Sequence, residues 1–206
     1  MKEKISDKII NRLTLYHCIL SDFLAKKEDT ITSVQIANLL KIDDSQVRKD
    51  ISQLNNSGKT RVGYNIADLK LAIEKTLGFE QPKNAFIVGA GNLGLALAKY
   101  DNFSNYGLNV IALFDVDEQK IGMSINQKEI YDISKLPELG KKTGVQMVLL
   151  TVPRSCAQKT VDYLVKSNMK YIWNFSPCVL DVPDDVEVWN ENLMGNFLHF
   201  SYKISN

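Results

Sequence analysis

Apolar residues recur at Ile9, Leu13, Tyr16, Leu20 and Leu24, and this three-to-four-residue spacing predicts an amphipathic helix over residues 6–26. The stretch TITSVQIANLLKIDDSQVRKDISQL that follows reads as two short helices with a tight break. Ser33 is the expected N-cap of the first, which buries Val34, Ala37 and Leu40; Ser45 is the expected N-cap of the second, which buries Val47, Ile51 and Leu54. NNSGKTRVGYNI is polar and glycine-bearing, suited to a hairpin, and a further helix from about Ile66 to Leu77 ends at Gly78. The proline-bearing GFEQPKN is the clear linker of the chain. Beyond it the rhythm changes. The apolar runs AFIV, VIALFD, MVLLTV and YIWNF alternate with the helical LGLALAKY and SCAQKTVDYLV, a βαβ alternation that predicts a parallel sheet. The last segment, NLMGNFLHFSYKI, is apolar around almost its whole circumference (Leu193, Met194, Phe197, Leu198, Phe200, Tyr202, Ile204). Such a helix needs burial on every side, which a small domain cannot give its own terminus, so insertion into a second subunit is expected.

The pattern predicts an α/β protein of two domains, and its 206 residues, 45% hydrophobic, suffice for two cores. Expected boundaries are 1–80 for a helix-turn-helix domain, 81–190 for a nucleotide-binding domain and 191–206 for the terminal helix. A formal net charge of +1 excludes a basic field over the whole molecule, so any contact with nucleic acid rests on a local patch. Cys18, Cys156 and Cys178 are odd in number and far apart, which argues against disulfides and against a zinc site; no metal is expected. MKEKISDKII lacks an apolar signal core and no run reaches the ~18 apolar residues of a membrane span. A cytoplasmic protein without membrane contact is expected.

The chemistry concentrates in GAGNLG, residues 89–94. A G-x-G-x-x-G between a strand and a helix, with an acid ending the next strand, is a dinucleotide fingerprint, and Asp115 lies 21 residues beyond Gly94. Gly89 allows the tight turn, Gly91 lets a pyrophosphate approach the backbone, and Gly94 lets helix and strand meet closely. Amides around Asn92 and Leu93 are the expected phosphate donors, and Asp115 the expected ribose acceptor. Asp115 and Asp117 oppose a 2′-phosphate and no arginine lies beside them, so NAD(H) is preferred to NADP(H). The alternative is a Rossmann-like unit whose glycines serve helix packing alone and which holds coenzyme A or nothing. TVPR (Thr151, Val152, Pro153, Arg154) and NFSP (Asn174, Phe175, Ser176, Pro177) follow apolar strands and so fall at the ligand-binding ends of the sheet. No catalytic residue is assigned: His17 and His199 lie in helices, Tyr100 is a candidate proton donor that reads better as a packing or interface residue, and Cys178 reads as an inert filler. In QVRKDIS, burial of Val47 and Ile51 turns Gln46, Arg48, Lys49 and Ser52 outward, with Ser45 at the helix start; these residue types bond phosphates and base edges of double-stranded DNA. Lys59 and Arg61 occupy the hairpin, a candidate wing.

The series QVRKD, GKTRVGY, VGAGNLGLALAKY, FDVD, TVPR and NFSP, in this order over essentially the whole chain, resembles the redox-sensing transcriptional repressor Rex family. The resemblance implies a winged helix-turn-helix domain joined to a Rossmann-type parallel-sheet domain. It also implies a homodimer with domain-swapped C-terminal helices, and release of operator DNA when NADH binds. Tyr100 matches the family's tyrosine after the nucleotide helix and joins the cofactor-binding set. The chain departs from the family in the wing, where Thr60 stands at the usual arginine and Arg61 at a glycine. It departs again at Cys18, usually an arginine, and at Asn192 and Leu193, usually an aspartate and a phenylalanine. The charged pair at those positions changes partners between states in relatives. Cys18, Asn192, Leu193 and Phe197 therefore form the expected dimer and switch set, and a paralogue with an altered or lost switch stands as the alternative. A small NAD-dependent oxidoreductase is the reading from a different class.

Overall fold

The computed structural model describes residues 5–54 and 63–205 and divides the chain into two compact units, Met1–Gln81 and Pro82–Asn206. The first unit contains α1 (Asp7–Ala25), β1 (Thr30–Ile31), α2 (Ser33–Leu40), α3 (Asp44–Ser52), β2 (Tyr64–Asn65) and α4 (Ile66–Leu77). β1 and β2 pair antiparallel, with Ile31 opposite Tyr64. The core gathers Leu13, Tyr16 and Leu20 from α1, Ile36 and Ala37 from α2, Val47 and Ile51 from α3, and Ile66, Leu69 and Ile73 from α4. Each large aliphatic side chain so buried contributes on the order of 1.5–3 kcal/mol.

Local signals placed α4 as expected. Asn65 caps it by accepting the Asp68 N–H at 3.0 Å, and Gly78, at φ +77°, ends it. Two caps differ from expectation. Thr32, not Ser33, opens α2, in a reciprocal arrangement with Gln35, and the register this sets buries Ile36 while leaving Val34 about half exposed and Leu40 only partly covered. Asp43, not Ser45, opens α3, accepting the Ser45 N–H at 2.7 Å. In α1 the apolar stripe holds through Leu20, but Leu24 is exposed.

In the second unit the elements are β3 (Lys83–Val88), α5 (Asn92–Ala98), β4 (Leu108–Asp115), β5 (Ser124–Ile125), β6 (Lys128–Asp132), α6 (Leu136–Thr143), β7 (Met147–Leu150), α7 (Arg154–Lys166), β8 (Tyr171–Asn174), β9 (Glu187–Asn190) and α8 (Leu193–Ile204). The strands form one sheet in the order β5-β6-β4-β3-β7-β8-β9, parallel throughout except for the β5–β6 hairpin. Apart from β5, this is the doubly wound order of dinucleotide-binding folds, with the direction of winding reversing between β3 and β7. A strand covered on both faces must be apolar on both. Phe86 and Val88 of β3 accordingly enter one core with Phe114, Val148 and Leu164, while Ala85 and Ile87 enter the other with Leu113 and Leu149. No residue of α8 is buried: its apolar side chains range from 56% exposed at Phe197 to 72% at Tyr202.

Candidate functional site

The carboxyl ends of β3, β4, β7 and β8 open onto a cleft of about 860 Å³, within the ordinary size of a small-molecule site. Its floor is the glycine loop. Gly89 sits at φ +104°, where a side chain would be strained and a Cβ would meet the Thr151 carbonyl and Val152 at 3.0 Å. At Gly94 a Cβ would lie 2.0 Å from the Gly89 carbonyl oxygen, so only glycine lets α5 start this close to the loop. The space beside Gly91 is open for 4 Å, and Gly91 lines the cleft. A ligand can therefore reach the backbone there, as a bound pyrophosphate requires.

Of the residues expected at this site, Gly89, Gly91, Asp115, Thr151, Val152, Pro153 and Phe175 line the cleft. Thr151 also locks the loop from below, its hydroxyl donating to the Gly89 carbonyl at 2.7 Å. Asn92 and Leu93 open α5 beside the cleft without lining it, and Gly94 is buried behind it. Asn174 and Ser176 are buried and brace the strand ends behind the cleft. The Asn174 amide donates to the Cys178 carbonyl at 2.9 Å and to Asn190 Oδ1 at 2.8 Å, its Oδ1 accepts the Ser176 N–H at 2.9 Å, and the Ser176 hydroxyl donates to the Val152 carbonyl at 2.7 Å. Tyr100 lies away from the cleft, beside a cavity of about 180 Å³ with Asp101 and Lys128, its ring edge-on to Phe103.

Asp115 is more heavily bonded than an acceptor waiting for ribose. Oδ2 accepts the Ala90 N–H at 2.6 Å, and Oδ1 accepts the Val116 and Asp117 N–H groups at 2.8 and 3.0 Å. Sequence reasoning found no arginine here, but it missed a cation. Lys120 lies 3.5 Å from Asp115 and 3.2 Å from Asp117. The backbone N–H of Gln119 and then Lys120 hold the Asp117 carboxyl below its ordinary value, and Asp117 in turn raises Lys120. One wall was also missed: Cys156, Lys159, Thr160 and Tyr163 of α7 line the cleft. Their spacing is the available signal, since Ala157, Val161 and Leu164 on the adjoining stripe are buried.

In the first unit Arg48, Lys49, Ser45 and Ser52 lie on the exposed side of α3, Arg48 paired with Asp44 at 2.7 Å. Gln46, partly buried on the same helix, donates to Asp50 Oδ1 at 2.8 Å. Asp50 is fully buried and also receives Arg12 through two bonds, at 2.6 and 2.8 Å, and the Tyr16 hydroxyl at 2.8 Å. Burial alone would push the Asp50 carboxyl up, but the hydrogen bonds from Arg12, Tyr16 and Gln46 hold it below its ordinary value. Tyr16 is raised, by burial and then by Asp50. Lys59, Thr60 and Arg61 lie outside the described residues. Cys18 is exposed on α1. Asn192 is the N-cap of α8, its Oδ1 accepting the Gly195 N–H at 2.7 Å, and Leu193 and Phe197 are exposed on that helix.

A helix-turn-helix unit followed by a doubly wound unit with a dinucleotide-type glycine loop defines a class: proteins that join a DNA-binding module to a nucleotide-binding one. The comparisons agree for both halves. A family model described as "CoA binding domain" matches residues 80–178, and one described as "Putative DNA-binding protein N-terminus" matches residues 4–52. The redox-sensing transcriptional repressor Rex of Clostridium botulinum strain Hall is 39% identical over 197 residues, 96% of this chain and 94% of that protein. The Rex of Clostridioides difficile strain 630 is 36% identical over 200 residues, covering 97% and 95%. RSP, a Rex-family repressor, matches in its complex with β-NAD+ and operator DNA at 33% identity and TM-score 0.90, covering 98% of this chain and 94% of that one. The complex of RSP with β-NADH matches at 34% identity and TM-score 0.86, covering 98% and 95%. The chain belongs to the Rex family of redox-sensing transcriptional repressors, as its motifs implied.

Proposed function

We propose that this protein is a homodimeric repressor of operator DNA whose affinity is set by NAD(H) bound in the cleft, NADH releasing it. One observation carries the reading. A cleft with a glycine cradle shaped for a pyrophosphate shares a chain with a helix-turn-helix whose second helix presents Arg48 and Lys49. The residues present fit the dinucleotide. The open backbone at Gly91 would take the pyrophosphate, Asp115 the adenosine ribose, and Val152, Pro153 and Phe175 the remaining wall. When bound, the nicotinamide supplies a redox state, since reduction removes its positive charge and ring planarity. A difference in affinity between two dimer states must then appear, with equal free energy, in DNA binding. The chain acts as a regulator in the cytoplasm and not as an enzyme; its relatives are named as repressors.

Exposure along the whole circumference of α8 supports dimerisation through this helix, exchanged between subunits. Arg48→Ala with Lys49→Ala tests the DNA half: operator retention disappears in a mobility-shift assay while NADH binding persists. Retained DNA binding would assign the interface elsewhere.

A second reading is favoured by Asn192, whose neutral side chain is engaged in capping α8, and by Cys18, which carries no guanidinium. With the family's charged pair absent at both ends, the chain binds its operator whatever the nicotinamide state. Cys18→Arg with Asn192→Asp would then install NADH sensitivity, whereas a wild-type protein that already responds rejects this reading.

A further inference from the structure

The outward side of α3 carries two cations, Arg48 and Lys49, and they differ in their partners. Lys49 makes no ion pair among the described residues, whereas Arg48 is held by Asp44 at 2.7 Å, one helical turn before it. Asp44 is the first residue of α3, the second helix of the helix-turn-helix, and such helices present their early side chains to base edges. Its neighbour Asp43 is committed to the backbone as N-cap, accepting the Ser45 N–H at 2.7 Å. Asp44 is not: its Oδ2 meets Arg48, and its Oδ1 has no partner among the described residues. The Asp44 side chain is 33% exposed, beside an Arg48 that is 57% exposed, so both groups of the pair are open to a ligand on this face.

We infer that Asp44 is a specificity-determining residue of the DNA-reading helix: paired with Arg48, it accepts the N4 amino group of a cytosine opposite or next to the guanine that Arg48 reads. The inference rests on the DNA-binding reading of α3. In the major groove an arginine reads guanine through O6 and N7, and a carboxylate takes the cytosine amino group. Side chains in contact at 2.7 Å reach the same base pair or adjacent ones. Where the cytosine is present, each group of the pair gains a base partner without losing the other. Where thymine stands instead, Asp44 meets the O4 acceptor; adenine offers an amino group, but beside the acceptor N7. On DNA without the cytosine the carboxylate is therefore left against acceptors and near phosphates, which repel it. Asp44 thus lowers affinity for DNA at large and adds discrimination at one base pair of each half-site.

The test uses the full chain. Wild type, Asp44→Ala and Asp44→Ser are each incubated with a pool of duplexes that carry a randomised core, and the bound duplexes are sequenced. Fluorescence anisotropy at constant salt then measures affinity for the duplex selected by the wild type and for versions in which its C·G pairs are changed singly to T·A. For the wild type, one such change per half-site is expected to weaken binding roughly tenfold, within the range of a good base contact. Both variants lose that preference and bind the changed duplex about fivefold more tightly than the wild type does, as removal of a charge near phosphates predicts. A merely structural role, in which Asp44 supports only the start of α3, would weaken every duplex by the same factor and leave the preferences intact. That result overturns the inference alone, as does a wild-type preference retained in both variants or a wild type indifferent to every C·G change. A wild type that binds no duplex overturns the DNA-binding reading, and the inference with it.

Discussion

The buried carboxylate of Asp50 ties α1 to the helix that presents Arg48 and Lys49, through Arg12 and Tyr16, while Gln46 of the same helix braces it. Because its pKa is depressed on folding, it adds stability above the ordinary carboxylate value near ~3.9, and that stability is lost as pH falls through the lower folded value. Asp50→Asn is therefore expected to lower unfolding free energy at pH 7 by about 2–3 kcal/mol, somewhat less than a fully buried pair because Arg12 is part exposed. Chemical denaturation should show the gap closing below pH 4, and a gap independent of pH would contradict this assignment. The network was not legible in the sequence, because the partners of Asp50 lie up to 38 residues away. The same distance problem hid the bonds that Asn174 and Ser176 make to Asn190, Cys178 and Val152.

At the scale of elements, what was legible was local. α4 and its Gly78 stop, the glycine loop and the four apolar parallel strands each carry their signal in neighbouring residues. The caps of α2 and α3 were displaced because Thr32–Ser33 and Asp43–Asp44–Ser45 offer adjacent side chains of equal competence, and only the backbone path selects one. The short β5 and β9 and the mixed β6 lacked an apolar run to announce them. Two element-scale outcomes follow. Gly94→Ala must drive α5 away from the Gly89 carbonyl, so NADH affinity should collapse in a direct titration, while basal DNA binding by the separate helix-turn-helix unit persists. Asn192→Ala removes the α8 cap and should reduce the stability of that helix by about 1 kcal/mol, read as lost amide-exchange protection between Leu193 and Phe197.

On the scale of the whole molecule, a dinucleotide fingerprint beginning at residue 89 sits behind a complete helix-turn-helix unit, and family membership covers both. The dimer proposed above rests on the exposed apolar helix α8. Phe197→Asp with Leu198→Asp should shift the protein from dimer to monomer in sedimentation velocity and weaken binding to a palindromic operator, since two half-sites then no longer act together. A dimer that survives both charges would move the interface elsewhere. The central claim, that nicotinamide redox state sets DNA affinity, is tested most directly by one fluorescence-anisotropy titration. A labelled palindromic operator is titrated with the wild-type protein at constant salt, without nucleotide, with NAD+ and with NADH. The account predicts that NADH alone weakens operator binding by tenfold or more, on the scale of ordinary allosteric coupling. Operator binding that is tight and identical in all three conditions would contradict it.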